Sequence, residues 1–493
     1  VIATTFTNAA AAELKDRVKL KLLERNKAVL ATEVAASMIG TVHSIGIRLI
    51  KRFAYEAGVS PDINIMDAND ESAFFNQSIA NILTDEQIEK MNYLATMLGL
   101  NKSGDFDWRK NIQEISNLIR QNNFEEETII FSKENSWESF KKYLPTPTLD
   151  LTAAKTKLKT IIDELLIAVL EVSDTTKTTT DRIIELKSIY QDISKNDFPW
   201  HQWIKITKLK VSKKSEALFE PLIEFAEKHI EIAEFQENIK EYIYQIFDIS
   251  FAALQQYQHF KKVRGLVDYT DMEAHILDLL ENPTVKKSIE SELDLLIVDE
   301  FQDTSPLQLA IFLKLSLLSN EAIWVGDTKQ SIYGFRGAEP RLMQAIIEEQ
   351  GGIKMEDILS DSWRSRPDLV NMTNCIFTRA FQNLPSEQII LRPKIEDTSE
   401  MGTAIHYWHF TMEGTPNKSN QNWYQKSIAA QIKKWMATEP KVRDKNTKLL
   451  RDAQFGDIAI LCRTNLFGTN MAEALHHVGI KSATPRFGLI QTK

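Results

Sequence analysis

Three patterns of apolar and polar positions follow one another along the chain. Val1 to Phe6 is apolar and β-branched, the pattern of a buried strand. Thr7 or Asn8 can cap the helix that follows through Glu13, Leu14, Arg17 and Val18. Ile39 to Val42 is a second strand-like piece. From about Arg52 to Lys262 the helical period takes over. Leu158, Ile161, Ile162, Leu165, Leu166 and Val169 form one stripe, and Ile243, Ile246, Phe247, Phe251 and Leu254 another. No glycine occurs from Asp105 to Arg264. This stretch predicts a helical domain inserted into an α/β one.

From Leu295 short apolar runs return. Leu295 to Val298 reads as a strand buried on both faces, with Asp299 and Glu300 at its carboxyl end. Ser305-Pro306-Leu307-Gln308 has the capping-box pattern and opens a helix to about Leu318. Ala322 to Val325 is the next strand, ending at Gly326-Asp327. This strand–helix–strand unit predicts a parallel sheet with its ligand site at the carboxyl ends. Beyond it, helices are expected from Pro367, over Trp423 to Met436 and over Ala472 to His477. Strands are expected at Ala404 to Phe410 and Asp457 to Cys462, and a charged loop from Lys441 to Arg451.

Composition narrows the picture. The 493 residues suggest about three domains at roughly 150 residues each. Few glycines and prolines favour a helix-rich fold. Two cysteines, Cys375 and Cys462, exclude a disulfide framework and a four-cysteine metal site, and suit a reducing, cytoplasmic setting. No run reaches the length of about 18 apolar residues needed to span a bilayer, so no membrane partner is expected. The net charge of −9 argues mildly against a nucleic-acid partner, but it speaks to the average field and leaves local grooves open. The lysine run Lys205, Lys208, Lys210, Lys213 and Lys214 fits either a solvated face or a phosphate contact.

An acidic pair emerging from a buried strand needs a partner. A hard cation is one, since Mg²⁺ takes one or two carboxylates plus substrate phosphates. Asp299-Glu300 therefore reads as a metal-binding Asp beside a water-activating Glu, or as a simple capping pair. The surrounding residues favour the first. Asp299-Glu300-Phe301-Gln302-Asp303-Thr304 resembles motif II of the UvrD/Rep group of superfamily 1 DNA helicases. Val325 to Ala338, with Gly326-Asp327-Thr328-Lys329-Gln330 and Tyr333-Gly334-Phe335-Arg336-Gly337, resembles motif III. Thr5-Phe6-Thr7-Asn8-Ala9 to Leu14 is similar to motif Ia, Thr41-Val42-His43-Ser44 to motif Ib, and Leu359 to Ser365 to motif IV. Gly265 to Asp271 resembles the segment preceding motif II.

The resemblance implies an α/β fold: RecA-like (P-loop NTPase) parallel-sheet domains with a large all-helical insertion. Residues 1–51 and 263–355 would form the first RecA-like domain, 52–262 the helical one, and 356–493 an incomplete second RecA-like domain. It also implies an ATP-dependent, Mg²⁺-requiring helicase that walks on single-stranded DNA, 3′ to 5′, and unwinds duplex DNA in repair or recombination. Asp299 would bind Mg²⁺, Glu300 activate water, and Gln330 sense the γ-phosphate. Arg364 would reach the same phosphate, a contribution that is worth about 10³–10⁵ in rate where it is measured. Phe6 and Phe335, where the family more often has Trp, would stack on bases. Thr7, Asn8, Thr41, His43, Tyr333 and Arg336 would complete the DNA contacts.

Two departures qualify the expectation. No Gly-x-x-x-x-Gly-Lys-[Ser/Thr] loop occurs in these residues, nor do motifs V and VI. Together with a start at Val1 and no Met, this predicts an internal portion of a longer motor, with weak or no ATP hydrolysis by itself. Ala9 replaces the motif Ia Lys of UvrD and Rep, and the alanine-rich form with a long helical insert is closer to the RecB/AddA helicase–nucleases. A nuclease or accessory subunit is the protein partner this implies. The competing reading is a helicase-like DNA-binding scaffold without ATPase activity.

Overall fold

The computed structural model describes residues 1–59, 64–66, 68–80, 82–103, 106–172, 174–193, 198–332, 334, 338–349, 351–409, 423–444 and 447–483. They form two compact units, Val1–Ile346 and Ile347–Lys493.

The first unit is built on a four-stranded sheet. In chain order its strands are β1 (Ile2–Thr5), β2 (Met38–Thr41), β3 (Asn64–Ile65), β4 (Leu266–Val267), β5 (Leu295–Val298) and β6 (Glu321–Trp324). The main sheet runs β2-β1-β5-β6, all parallel, while β3 and β4 form a separate short parallel pair. All four residues of β1 are buried, as its central place requires. The helix Asn8–Glu24 covers one face, where Leu14, Val18 and Leu22 pack on Ala3, Ile39 and Ile297. The helices Val42–Arg52, Tyr269–Leu279 and Pro306–Leu318 meet on the other, around Thr4, Ile45, Leu49, Ile276 and Phe312. Gly46 lets two of them approach, since a Cβ there would lie 2.4 Å from Ile276 Cδ1. In β5, Leu296 and Val298 are buried but Leu295 and Ile297 only half so. β6 is an edge strand whose Ala322 and Ile323 stay exposed, so of β1, β5 and β6 only β1 is buried on both faces.

Between β2 and β4 the chain is mostly helix. The longest, Ala233–Arg264, spans 32 residues, about 48 Å at 1.5 Å per residue. It ends at Gly265, whose φ of 63° is the left-handed turn that glycine makes without penalty. Two apolar clusters hold this region. One gathers Leu158, Ile162, Leu165 and Val169 with Trp200, Trp203, Phe219 and Leu222. The other joins Phe75, Met91, Trp108 and Ile112 to Ile249, Ala253 and Tyr257 of the long helix. The first predicted stripe is an inward face, with Ile161 and Leu166 at its margin, whereas of the second only Ile246 and Leu254 are buried and Ile243, Phe247 and Phe251 are half-buried. Lys205, Lys208, Lys210, Lys213 and Lys214 are all exposed.

In the second unit, β7 (Asp361–Ser362) pairs in parallel with β8 (Arg392–Pro393), and β9 (Lys441–Arg443) in antiparallel with β10 (Leu450–Asp452). Its core is the packing of the helices Trp423–Met436 and Asn465–His477 through Ala429, Ile432, Met471 and Leu475. Three expectations need correction. Residues 404–409 form no strand, and Phe410 lies outside the described residues. Asp457 closes a 3-10 turn, and 458–462 form no strand either. Trp408 and Ile458 lean on the helix pair while Tyr407 and Leu461 are 84% and 98% exposed. The apolar alternation there reflects contact with helices on one side, without a hydrogen-bonded ladder. The expected loop at Lys441 to Arg451 instead contributes to a hairpin, its charges neutralised locally. Lys441 pairs with Asp452, and Arg451 grips both oxygens of Asp457 at 2.7 and 2.8 Å.

Candidate functional site

Parallel strands share one carboxyl edge, and the residues that follow β1, β2, β5 and β6 all emerge along it. Phe6, Thr7 and Asn8 follow β1 and are exposed. Thr41 ends β2 and precedes His43. Asp299 and Glu300 follow β5, and Asp327 to Gln330 follow β6. The structure thus brings the described sequence-predicted residues of the first unit to one edge. Arg364 belongs to the second unit, where it is exposed and makes no hydrogen bond or ion pair among the described residues. Tyr333, Phe335 and Arg336 lie outside the described residues.

The acidic end is tightly organised. Asp299 N–H donates to Thr4 O at 3.3 Å, continuing the β1–β5 ladder by one residue. Glu300 then turns with φ 54°, a left-handed conformation that costs a non-glycine residue on the order of 1 kcal/mol or more. Its N–H donates to Asp299 Oδ1 at 3.0 Å. Gln302, 3% exposed, donates from Nε2 to Glu300 Oε2 at 2.6 Å and accepts the Asp327 N–H at 2.9 Å. Gln330 Nε2 donates to Asp327 Oδ2 at 3.0 Å. Three hydrogen bonds therefore join Glu300 to Gln330 through Gln302 and Asp327. Gly326 makes room for this bridge, because a Cβ there would lie 2.7 Å from Gln302 Oε1.

Electrostatics at this edge invite a cation. Partial burial and the adjacent Glu300 push the Asp299 carboxyl above its usual range, and the same two causes raise Asp303. Asp303 Oδ1 is buried without a hydrogen-bond donor among the described residues. Asp327 differs: burial pushes it up, but Lys329 and Gln330 outweigh burial and hold it low, with Lys329 Nζ at 2.7 Å. No group of three or more His, Cys, Asp or Glu side chains among the described residues could cage a metal. One or two carboxylates with an open side fit Mg²⁺, which keeps waters and takes its remaining ligands from phosphates.

The neighbouring part of the edge is made of helix starts. Thr7 caps Asn8–Glu24 by accepting Ala10 N–H at 3.1 Å, so of the two candidate caps it is Thr7 that serves. Thr41 caps Val42–Arg52 by accepting Ser44 N–H at 3.2 Å. Each hydroxyl keeps a hydrogen to donate while its oxygen accepts. His43 Nε2 lies 3.1 Å from Glu273 Oε1, and its ring packs 4.2 Å from that of Tyr269.

Sequence reasoning passed over Gln302, Asp327 and Glu273 as site residues. Gln302 had a signal, as an amide inside a run of acidic residues beside a buried strand. Glu273 had none, since its partner His43 is 230 positions away.

A parallel sheet with helices on both faces and its polar loops at one carboxyl edge places the first unit in the RecA-like class of α/β folds. The chain belongs to the family described as the UvrD/REP helicase N-terminal domain, whose profile matches residues 1–350. It is 23% identical to an ATP-dependent helicase/nuclease subunit from Listeria monocytogenes serotype 4b, over 96% of the chain and 44% of that relative. The protein of the same name from Leuconostoc mesenteroides is 23% identical over 97% of the chain and 44% of its own length. That from Carboxydothermus hydrogenoformans is 24% identical over 97% and 45%. The chain thus spans less than half the length of these relatives. Among the described residues, no helix is long and apolar enough to cross a membrane.

Proposed function

We propose that this chain is the motor portion of an ATP-dependent DNA helicase that couples Mg²⁺-ATP hydrolysis to movement on single-stranded DNA. The observation that carries this reading is the shared carboxyl edge. The bridged set Asp299, Glu300, Gln302, Asp327 and Gln330 follows β5 and β6, and beside it the exposed Phe6, Thr7 and Asn8 follow β1 and the half-buried Thr41 and His43 stand at the end of β2. Residues 1–51 and 263–355 act as the first RecA-like domain, 52–262 as the helical insert, and 356–493 as the second RecA-like domain.

In this reading Asp299 is the Mg²⁺ ligand. Bound Mg²⁺ neutralises phosphate charge and polarises the transferring group. Glu300, held in its turn by Gln302, orients a water and accepts its proton. Gln330 contacts the γ-phosphate, and Arg364 supplies positive charge from the second unit. Phe6 and Phe335 stack on bases, and Thr7, Asn8, Thr41, His43, Tyr333 and Arg336 make the remaining contacts to the strand. Such contacts do not require a basic total, which reconciles DNA binding with a net charge of −9. Movement 3′ to 5′, work in repair or recombination, and a nuclease or accessory partner rest on the resemblance and on relatives named as helicase/nuclease subunits.

The test is ATP hydrolysis with and without single-stranded DNA, by this chain and by the product of its complete reading frame. DNA-stimulated turnover by the complete product and little by this chain is the expected pair, because residues 1–493 hold no phosphate-cradling loop. DNA binding without turnover by the complete product would replace the motor by a scaffold.

A further inference from the structure

Glu273 stands out as a buried carboxylate that no motif includes. Its side chain is 7% exposed. It lies one turn into the helix Tyr269–Leu279, and two groups meet its Oε1. His43 Nε2 is at 3.1 Å, and Gln308 Nε2 donates at 2.6 Å. An ionised carboxylate in such a place is costly unless donors satisfy it. Here the donors come from two different helix starts. His43 belongs to the first turn of Val42–Arg52. Gln308 is the third residue of Pro306–Leu318, where its backbone N–H donates to Ser305 Oγ at 3.2 Å and its Oε1 accepts the Ser305 N–H at 3.3 Å. Ser305 is two residues beyond Asp303.

The imidazole is thus fixed on two sides. Tyr269, on the same helix as Glu273, packs against the ring with an interplanar angle of 32°. Glu273 engages Nε2, which leaves Nδ1 as the ring nitrogen without a partner among the described residues. A carboxylate accepts, so in the neutral ring it selects the tautomer with its proton on Nε2. His43 is 37% exposed on its side chain, so the unpaired part of the ring remains open to solvent.

We infer that Glu273 is a positioning residue for nucleic-acid binding. It sets the tautomer and tilt of His43 so that the unprotonated Nδ1, a hydrogen-bond acceptor, faces the base N–H groups of the strand, and Gln308 holds the carboxylate in register with the end of the acidic segment Asp299–Asp303. The inference rests on the proposed role of His43 as a DNA contact.

The experiment compares H43A, Glu273→Ala, Glu273→Gln and the double variant H43A/Glu273→Ala in the full chain. Binding to fluorescein-labelled oligo(dT) is read by anisotropy, the state of the ring by ¹⁵N spectra of histidine-labelled protein, and folding by thermal melting. The His43 signals are those lost in H43A. The wild type should show an Nε2-protonated ring, and Glu273→Ala an averaged tautomer mixture. H43A should weaken binding about tenfold at most, the loss expected for one hydrogen bond that the bare Nδ1 accepts from a base N–H. Glu273→Ala should come close to that, and the double variant should be no weaker than H43A alone. Glu273→Gln keeps the volume and the accepting oxygen, so it should retain a folded chain, the wild-type tautomer and most of the affinity. An unchanged His43 ring in Glu273→Ala, or additive losses in the double variant, would overturn the positioning role. If the tautomer shifts but H43A binds DNA like the wild type, the DNA reading of His43 is what falls, and the inference falls with it.

Discussion

The Gln302 amide donates to Glu300 Oε2 at 2.6 Å from a side chain that is almost wholly buried. Glu300 occupies a left-handed backbone conformation that is costly for glutamate, and its carboxylate would otherwise swing freely. Gln302 reaches the next strand as well, accepting from Asp327 N–H at 2.9 Å, while Ser331 Oγ donates to its backbone carbonyl at 3.3 Å. One side chain therefore sets the distance between the two strand-end loops that the proposed chemistry uses.

Gln302→Ala removes both side-chain bonds, together with a 3.4 Å contact from Nε2 to Asp303 Oδ2, and leaves a void. A general base that loses its orientation forfeits part of a contribution that is about 10²–10⁴ in rate. In the complete enzyme we expect kcat for ATP to fall at least about tenfold with KM little changed. Stability should drop by about 1–3 kcal/mol from the unpaired buried groups. Steady-state kinetics beside denaturant melts measure both. Unchanged kcat in a folded variant would show that Gln302 is structural only.

Asp299→Asn should separate stability from function. Burial and Glu300 raise the Asp299 carboxyl above its usual range. The folded state therefore holds this proton more tightly than the unfolded chain, and stability falls as pH rises through the window above the ordinary carboxylate value. Neutral Asn removes that penalty. Solvent screens an open site, so the gain is small, about a few tenths of a kcal/mol. We expect an equal or slightly higher melting temperature at pH 7, together with loss of Mg²⁺-dependent ATP turnover in the complete enzyme. A clear drop in melting temperature would contradict the electrostatic account.

Much of the first unit was legible because its signals are local. The apolar run before Asp299-Glu300 marks β5, and Ser305 with Gln308 marks the start of a helix that begins at Pro306. The second unit was less legible. The alternation at residues 404–409 and 458–462 has the period of a strand, yet only Trp408, Ile458 and Cys462 there are covered by two helices. Periodicity records which positions are covered and not what covers them. Long-range polar pairs were invisible for a related reason. Nothing near His43 announces Glu273, and nothing near Arg120 announces Asp268, 148 positions on.

Phe6 offers a direct test of the DNA reading. It follows β1 and is 39% exposed. Stacking of a base on an aromatic contributes about 1–3 kcal/mol and is indifferent to sequence. Phe6→Ala should weaken single-stranded DNA binding by about five- to 150-fold, equally for oligo(dT) and oligo(dA), with no more than about 0.5 kcal/mol lost in stability. Unaltered affinity would remove Phe6 from the interface.

The Arg120–Asp268 pair makes a stability prediction. Arg120 Nη2 bonds Asp268 and reaches Asp271 at 3.2 Å, while Lys261 Nζ bonds Asp268 at 2.7 Å. Tyr257 lies beneath both cations, 4.3 Å from Lys261 Nζ and 5.3 Å from Arg120 Cζ. Burial works against every charge here. For Asp268 it is outweighed by Arg120 and Lys261, which together lower the carboxyl to about 2. Its ionised form therefore stabilises the fold at neutral pH, and this contribution disappears as pH falls through and below the ordinary carboxylate range. The cluster ties Trp108–Gln121 and Ala233–Arg264 to the start of Tyr269–Leu279, the helix that carries Glu273 and Tyr269. Asp268→Asn removes the carboxylate that bonds both cations while Asp271 and Glu71 still pair with them, so it should cost about 1–3 kcal/mol. It should also flatten the acid limb of the stability profile. Urea melts from pH 2 to 7 on wild type and variant decide it, and an acid limb that persists unchanged in the variant would assign the pH dependence to other carboxylates.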